Sequence, residues 1–136
     1  MPSDARRSFD KAIACWNADD LDGYLELYDE RIELHGYSDK PMGKAEVRSF
    51  YQGLFASLAD IVLEIHEVVE DGAQLACRFT MHGTHTGELA GIAPTGRRVA
   101  QPGITILRFD GGHVVERHSV ADFASVVAQL SAPRAP

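Results

Sequence analysis

The sequence predicts an α+β fold in which helices pack on one face of a curved antiparallel sheet. Two observations support this prediction. Before Ala59 most apolar residues recur at helical spacing, and after it they recur at every second position, as in strands. Runs of helices followed by runs of strands are typical of α+β domains rather than of alternating α/β domains. The chain has 136 residues, which is long enough for one domain with a core of its own.

Three helices are expected before the main part of the sheet. Ser3 or Asp4 can cap the first helix, and Asp20 can cap a short second one. The third helix has the most regular pattern, because its apolar residues follow an i, i+3, i+4, i+7 spacing without a miss. These residues are Val47, Phe50, Tyr51, Leu54, Phe55 and Leu58. A short strand over residues 31–36 is expected between the second and third helices.

Four longer strands are expected after the third helix. Residues 61–71 and 74–82 alternate apolar and polar side chains, and they meet at the hairpin signal Glu70-Asp71-Gly72. The next two strands, 99–109 and 114–120, are joined by a glycine-rich turn, and a short terminal helix follows them. The result is a meander of antiparallel strands covered by helices.

The composition limits the classes of partner. The chain has 13 basic and 20 acidic residues and a net charge of -7, which argues against a nucleic-acid partner. No stretch has the length and apolar character of a membrane span or a secretion signal, so a cytoplasmic protein without a membrane partner is expected. Cys15 and Cys77 lie in apolar patterns and are expected to be reduced core residues, with a disulfide left open. A single domain is expected over 1–130, with a flexible tail at 131–136.

The predicted architecture also implies a cavity and an interface. A strongly curved sheet capped by helices leaves an apolar cavity between the two layers, the usual setting for a small hydrophobic or aromatic ligand. The other face of the sheet is expected to carry Val62, Ile104, Ile106 and Val114. This is a large apolar surface for a face in contact with water, so a homodimer through the sheet face is expected.

Several motifs resemble the signature of the SnoaL-like polyketide cyclase (ester cyclase) family. They are Gly83-Thr84-His85-Thr86-Gly87-Glu88, the loop at 94–98, the segment at 108–116, and Trp16-Asn17 at the end of the first helix. The resemblance covers nearly the whole chain. It implies the cone-shaped α+β barrel of the nuclear-transport-factor-like superfamily. Its best-understood members close a ring of an aromatic polyketide by an intramolecular aldol reaction without metal or organic cofactor, so neither is expected here.

The resemblance also implies where the catalytic groups would lie, and there this sequence departs from the family pattern. The family's catalytic aspartate precedes a second aspartate by three residues, and counting back from Asp122 that position is Ser119. Its catalytic histidine lies three residues ahead of an arginine that resembles Arg108, and that position is Thr105. A neutral hydroxyl cannot take a proton unaided near neutral pH. Ser119 and Thr105 are therefore expected to contact the substrate rather than to act as acid and base.

Acid/base chemistry would then depend on other residues. Glu33 and His35 share one face of the first strand, and a buried Glu33 beside His35 would form a base with a proton partner. The alternative is that both are solvated at a strand end. Asp122 is the carboxylate nearest the lost catalytic position, and its alternative role is to cap the last helix.

Substrate contacts are expected from both layers. Arg117 shares a strand face with Ser119 and could bind an oxyanion or a ligand carboxylate, or pair with Glu33; the alternative is an exposed arginine. Tyr51 and Phe55 could reach the cavity from the third helix, with Tyr37 joining them after the first strand. The family motif contains His85, which is expected to fix its loop by hydrogen bonds. Because His82 and His85 fall on opposite strand faces, no metal site is expected from them.

Two functions stay open. The first is a cofactor-independent acid/base enzyme of the cyclase or isomerase type that acts on a small hydrophobic oxygenated or aromatic compound, with Ser119 and Thr105 replacing the family's catalytic aspartate and histidine. The second is a non-catalytic protein that binds such a compound. A hydrolase or dehydratase of the same superfamily is a further alternative to the cyclase. Whether the chain is an enzyme depends on whether other groups replace the lost pair.

Overall fold

Four helices pack on a curved five-stranded sheet in the computed structural model, which describes residues 2–133. The helices are α1 (Asp4–Asn17), α2 (Leu21–Leu25), α3 (Lys44–Ser57) and α4 (Phe123–Ser131). The strands are β1 (Tyr28–His35), β2 (Leu58–Asp71), β3 (Gln74–His85), β4 (Arg98–Asp110) and β5 (His113–Ala121). The α+β fold expected from the sequence is confirmed.

Short polar side chains begin three of the helices. The side chain of Ser3 accepts a hydrogen bond from the backbone of Arg6 at the start of α1, and Asp20 caps α2 in the same way. Asp122 begins α4 by accepting from the backbone nitrogen of Ser125 at 3.0 Å. Each of these bonds satisfies a backbone donor that has no partner inside the helix.

The sheet has the strand order β1-β5-β4-β3-β2. Three of its four pairings are antiparallel, as expected, but β1 runs parallel to β5. A hairpin can join only antiparallel neighbours, and β1 has no hairpin connection to β5, because α3 and the other strands lie between them in the chain. The last strand of the meander therefore has a neighbour from the first part of the chain.

Alternation decides which side chains face the helices. On β3 the buried residues include Leu75, Cys77, Phe79 and Met81, as the sequence predicts. On the opposite face of β4 and β5, Ile104, Ile106 and Val120 are exposed. This part of the outer face is therefore apolar, as expected. The placement of Val114 on the same face was wrong, because a register shift between β4 and β5 buries Val114 completely. Val62 is half-buried.

Trp16 lies in the middle of the core between the helices. Its ring makes edge-to-face contacts with Tyr24, Tyr51 and Phe55, with centroids 4.8, 5.4 and 4.7 Å away. Such contacts add to the free energy gained from burying the large rings. Helices α1, α2 and α3 are thereby held together around one aromatic cluster.

Three expectations about the rest of the chain can be compared with the structure. Cys15 and Cys77 are free thiols, half-buried and buried respectively. Among residues 2–133, no helix has the length and apolar character needed to cross a membrane. Ser131 of the expected tail belongs to α4, and residues 134–136 lie outside the described part of the chain.

Candidate functional site

A cavity of about 450 Å³ lies between the helices and the inner face of the sheet. Most of its wall is apolar. The apolar lining includes Phe9, Ile13, Trp16, Leu54, Leu63, Phe79, Met81, Leu89, Phe123 and Val126. This volume and lining suit a small hydrophobic molecule.

Arg117 is the charged residue of the cavity wall. Alternation along β5 turns its side chain towards the helices, where it is only 6% exposed. Its Nε donates hydrogen bonds of 2.9 Å to the hydroxyls of both Thr105 and Ser119. These two residues face each other across β4 and β5, with their hydroxyl oxygens 2.7 Å apart. The two positions at which the family's acid and base were expected therefore hold the guanidinium in place.

Three tyrosines contact the other end of the Arg117 guanidinium. Its Nη1 donates to the hydroxyls of Tyr28 and Tyr51 at 2.5 Å and to that of Tyr24 at 3.2 Å. The hydroxyls of Tyr24 and Tyr28 are themselves 2.7 Å apart. Arg117, Thr105, Ser119 and these tyrosines form what we call the Arg117 cluster. Its members come from α2, β1, α3, β4 and β5.

The groups of the Arg117 cluster differ in charge. Burial opposes the charge of Arg117, but the tyrosine oxygens, Tyr28 first, more than offset this, so the arginine pKa lies well above its usual value. Burial raises the pKa values of Tyr24 and Tyr51, and nearby Arg117 only partly opposes the effect. At neutral pH the cluster therefore contains one positive charge surrounded by neutral hydroxyls.

The positive charge of Arg117 has no negative partner in the described structure. None of the carboxylates between residues 2 and 133 forms a salt bridge with it. Its Nη2 has no hydrogen-bond acceptor among the same residues. The side chains that line the cavity include no Asp, Glu or His. Of the roles left open for Arg117, pairing with Glu33 was wrong, and so was an exposed arginine.

Glu33 and His35 lie on the outer face of the sheet, away from the cavity. β1 turns Ile32 and Leu34 inwards, which leaves the side chain of Glu33 64% exposed and that of His35 32% exposed. The His35 ring stacks on His118 with centroids 4.3 Å apart, and its Nε2 lies 3.4 Å from Glu33. The expected buried pair in the cavity was wrong, because the alternation of so short a strand does not reveal which face is inward.

The remaining candidates divide between the cavity wall and its support. Tyr37, Tyr51 and Thr105 line the cavity with Arg117. Phe55 is half-buried and packs against Trp16 instead. Asp122 is exposed and caps α4, so its alternative structural role is the one that the structure shows.

Tyr24 and Tyr28 are site residues that the sequence reasoning missed. Their spacing of four residues is typical of the apolar side of a helix, and their rings do lie in the core. Their hydroxyls, however, reach Arg117. The signal in the sequence was chemical, since the hydroxyl of a buried tyrosine needs a hydrogen-bond partner.

Gly36 allows β1 to end close to the Arg117 cluster. Its φ is +115°, a conformation that favours glycine, and it lines the cavity. A Cβ added at Gly36 would lie 2.0 Å from the backbone oxygen of Ser119. The absence of a side chain at Gly36 therefore sets the distance between β1 and β5 at the site.

His85 fixes the loop that follows β3, as expected. It is fully buried, and its Nδ1 accepts a hydrogen bond from the backbone nitrogen of Thr95 at 3.1 Å. Its backbone bonds to Gly96 and Arg97 close the same loop. Within residues 2–133, no group of three or more His, Cys, Asp or Glu side chains could hold a metal ion.

Comparisons with known proteins agree with this architecture. The model of the SnoaL-like polyketide cyclase family matches residues 7–130. The chain is 27% identical to nogalonic acid methyl ester cyclase of Streptomyces nogalater, over 85% of this chain and 86% of the relative. It is 31% identical to aklanonic acid methyl ester cyclase AcmA of Streptomyces galilaeus, over 52% of this chain and 49% of the relative.

Solved structures agree as well. AclR of Streptomyces galilaeus, a proposed hydroxylase, superposes with a TM-score of 0.87 at 28% identity, covering 97% of this chain and 84% of AclR. IdmH of Streptomyces antibioticus, a proposed polyketide cyclase, has a TM-score of 0.81 at 23% identity, covering 94% of this chain and 99% of IdmH. With the family model matched over most of its length, the chain belongs to the SnoaL-like polyketide cyclase family.

Proposed function

We propose that the protein is a cofactor-independent enzyme of the cyclase or isomerase type, acting on a small hydrophobic oxygenated or aromatic compound. One observation carries this proposal: Arg117 presents a positive charge and a free Nη2 to an apolar cavity. Similarity to two methyl ester cyclases supports the same class of reaction. The family's ring closure needs the charge of an oxygen to be stabilised, which such an arginine can do.

Intramolecular aldol closure fits the groups of the Arg117 cluster. The substrate reacts as its enolate, after one of its α-C–H protons has passed to water. The enolate carbon attacks a carbonyl carbon of the same molecule, and a carbon–carbon bond forms. The electron pair of the carbonyl π bond moves to its oxygen, which then takes a proton. Arg117 would stabilise the negative oxygen, and the Tyr51 hydroxyl would donate the proton and recover it from solvent.

Thr105 and Ser119 have a different role in this proposal from that of the residues they replace. Both accept a hydrogen bond from Nε of Arg117, so they orient the guanidinium. Because neither hydroxyl can act as a base near neutral pH, they are positioning residues and not proton carriers.

The proposal is tested with the methyl esters on which the relatives act. Purified protein is mixed with aklanonic or nogalonic acid methyl ester, and ring closure is followed by chromatography and mass spectrometry. We expect wild-type protein to form the cyclised isomer, of unchanged mass, and Tyr51→Phe to form it more slowly. Tyr37→Phe should slow closure less than Tyr51→Phe, because Tyr37 lines the cavity but does not bond to Arg117. Absence of closure with both esters would contradict a cyclase of this specificity.

Binding without catalysis is the second candidate. It is favoured by the absence of Asp, Glu and His from the cavity lining of the described residues. Saturable binding of either ester without any change in its mass or retention would support it. A product heavier by one oxygen atom, formed only with dioxygen and a reductant, would instead indicate the reaction proposed for AclR.

We also propose that a second copy of the chain covers the outer face of the sheet. The support is the exposed apolar set of Ile104, Ile106 and Val120, which lie side by side on β4 and β5. An exposed apolar patch of this kind on one face of a sheet is typical of an interface. The cavity lies on the other side of the sheet, so it would stay accessible in such a dimer.

A further inference from the structure

The Arg117 cluster contains a charge that no residue between 2 and 133 balances. Five hydrogen bonds from Arg117 go to hydroxyl oxygens of Thr105, Ser119, Tyr24, Tyr28 and Tyr51, and all of these groups are neutral at neutral pH. Buried charges in proteins are usually paired with an opposite charge, because hydrogen bonds to neutral groups replace only part of the lost hydration. An anion beside Nη2 would complete the site.

The cavity also lacks a group that could remove a proton. No Asp, Glu or His of the described residues lines it, and burial raises the pKa values of the Tyr24 and Tyr51 hydroxyls, which keeps them protonated. Burial likewise raises the pKa of the Cys77 thiol in the cavity wall, to about 11. An enolate formed inside this cavity would therefore have no base to form it.

A ligand that is already negatively charged would account for both the charge of Arg117 and the missing base. We propose that the ligand enters the cavity already ionised, as a planar apolar compound with one acidic oxygen, and that this oxygen pairs with Nη2 of Arg117. The chemical class is that of acidic enols and hydroxyquinones, whose conjugated rings suit the apolar wall and whose proton is lost in water. This inference names the substrate class of the proposed enzyme and rests on that proposal for the location of the site.

The proposal has a consequence for how the reaction would begin. Deprotonation would precede binding, so the site would select the anion instead of generating it. The cluster would then keep the negative charge on oxygen near Arg117 while the apolar walls orient the carbon that attacks. Replacement of the family's base by Ser119 and Thr105 would be compatible with catalysis in this case, because no base would be needed.

Lawsone, a hydroxynaphthoquinone that is ionised at neutral pH, and its methyl ether, which cannot ionise, form a matched pair of probes. Their affinities are measured by titration calorimetry with wild-type protein. We expect lawsone to bind about tenfold or more tightly than the ether at neutral pH, since charged hydrogen bonds are roughly twice as strong as neutral ones. The visible absorption band of the lawsone anion should persist to lower pH in the complex than in free solution.

Two variants locate the effect. Arg117→Lys should keep part of the preference for lawsone, because it retains the charge, and Arg117→Gln should abolish the preference. Should Arg117→Gln not fold, the wild-type preference and the shift of the absorption band decide the question. Equal affinities, tighter binding of the ether, binding of neither probe, or an Arg117→Gln variant that still prefers lawsone would overturn the inference.

The outcomes also separate this inference from the proposed catalytic function. Selective binding of the anion without turnover of the methyl esters would uphold the inference and contradict a cyclase of this specificity. Turnover of the esters by a protein with no preference for lawsone over its ether would support the proposed enzyme and contradict the inference about an ionised ligand.

Discussion

The two faces of β5 treat charge in opposite ways. On the outer face, His118 contacts Glu116 at 2.7 Å, and Arg108 donates to the same carboxylate at 3.0 Å. On the inner face, Ser119, the residue after His118, accepts a hydrogen bond from Arg117 and helps to hold it among hydroxyl groups. The outer charges are paired in contact with water, and the inner charge is buried without an ion-pair partner among the described residues.

The difference in charge pairing between the two faces indicates that the function lies on the inner face. Exposed ion pairs contribute about 0–1 kcal/mol each to stability, so the outer pairs are of little consequence for the fold. Removing an ion from water costs several kcal/mol, so burying Arg117 without a counter-charge among the described residues lowers the stability of the fold. A buried positive charge that is held in place before the substrate arrives can stabilise negative charge that develops during the reaction. This function would explain why Arg117 is kept buried despite the cost in stability.

Removing the inner charge should have the largest effect on activity. Arg117→Met is expected to reduce the rate of ring closure by about 100-fold or more, as loss of a single oxyanion donor does in other enzymes. The rate is measured with whichever methyl ester the wild-type protein closes. Circular dichroism checks that the variant is folded.

Glu33→Gln and His35→Ala are the matched controls on the outer face. Because both side chains point away from the cavity, the rates of these variants should equal that of the wild type. A large loss in either control, or a wild-type rate in Arg117→Met, would reverse the assignment of the two faces.

The second prediction concerns the approach of β1 to the inner face. Gly36→Ala should lower the free energy of unfolding by about 3 kcal/mol or more, because a clash with the Ser119 backbone adds to a positive φ. Gly91→Ala is the control, since Gly91 also has a positive φ, +77°, but has no atom within 4 Å of the added Cβ. Its loss should be only about 1–2 kcal/mol. Urea unfolding measures both, and equal losses would show that the close approach is unimportant.

The sequence predicted local features of this molecule better than its site. The order of helices and strands follows from periodicity, and Leu75, Cys77, Phe79 and Met81 are buried as the alternation of β3 requires. Asp20 and Asp122 cap helices because capping depends on residues next to each other in the chain. Membership of the family also followed from motifs that are contiguous in sequence.

What failed depended on contacts between distant residues. The direction in which Glu33 faces is set by how β1 docks beside β5, which no pattern within eight residues can reveal. The burial of Val114 results from a register shift between two strands. Tyr24 and Tyr28 looked like core residues, and only the fold brings their hydroxyls to Arg117, some 90 positions further along the chain.

The third prediction tests what covers the outer face. Val120 is 80% exposed and pairs across the sheet with Ile104. Val120→Asp should convert the proposed dimer to monomer, because burying an unpaired carboxylate in an apolar interface is unfavourable. Val69→Asp is the control, since Val69 is also exposed but lies near the end of β2. Sedimentation velocity measures the assembly, and a wild-type protein that is already monomeric would contradict the dimer.

The smallest effect is expected from the outer ion pairs. The hydrogen bond from His118, followed by that from Arg108, lowers the pKa of Glu116 below its usual 4.5. A carboxyl whose pKa is lowered by folding adds stability above its unfolded pKa, and this stability disappears as the pH falls through the folded value.

Glu116→Gln should therefore be slightly less stable than the wild type near neutral pH, and this difference should shrink as the pH falls below about 4.5. Glu30→Gln, at an exposed glutamate of β1 with no ion pair among the described residues, is the control. Thermal unfolding at a series of pH values measures the difference. If the difference instead grew towards acid pH, the Glu116 carboxyl would be destabilised by folding, and the outer face would not balance its charges as the structure indicates.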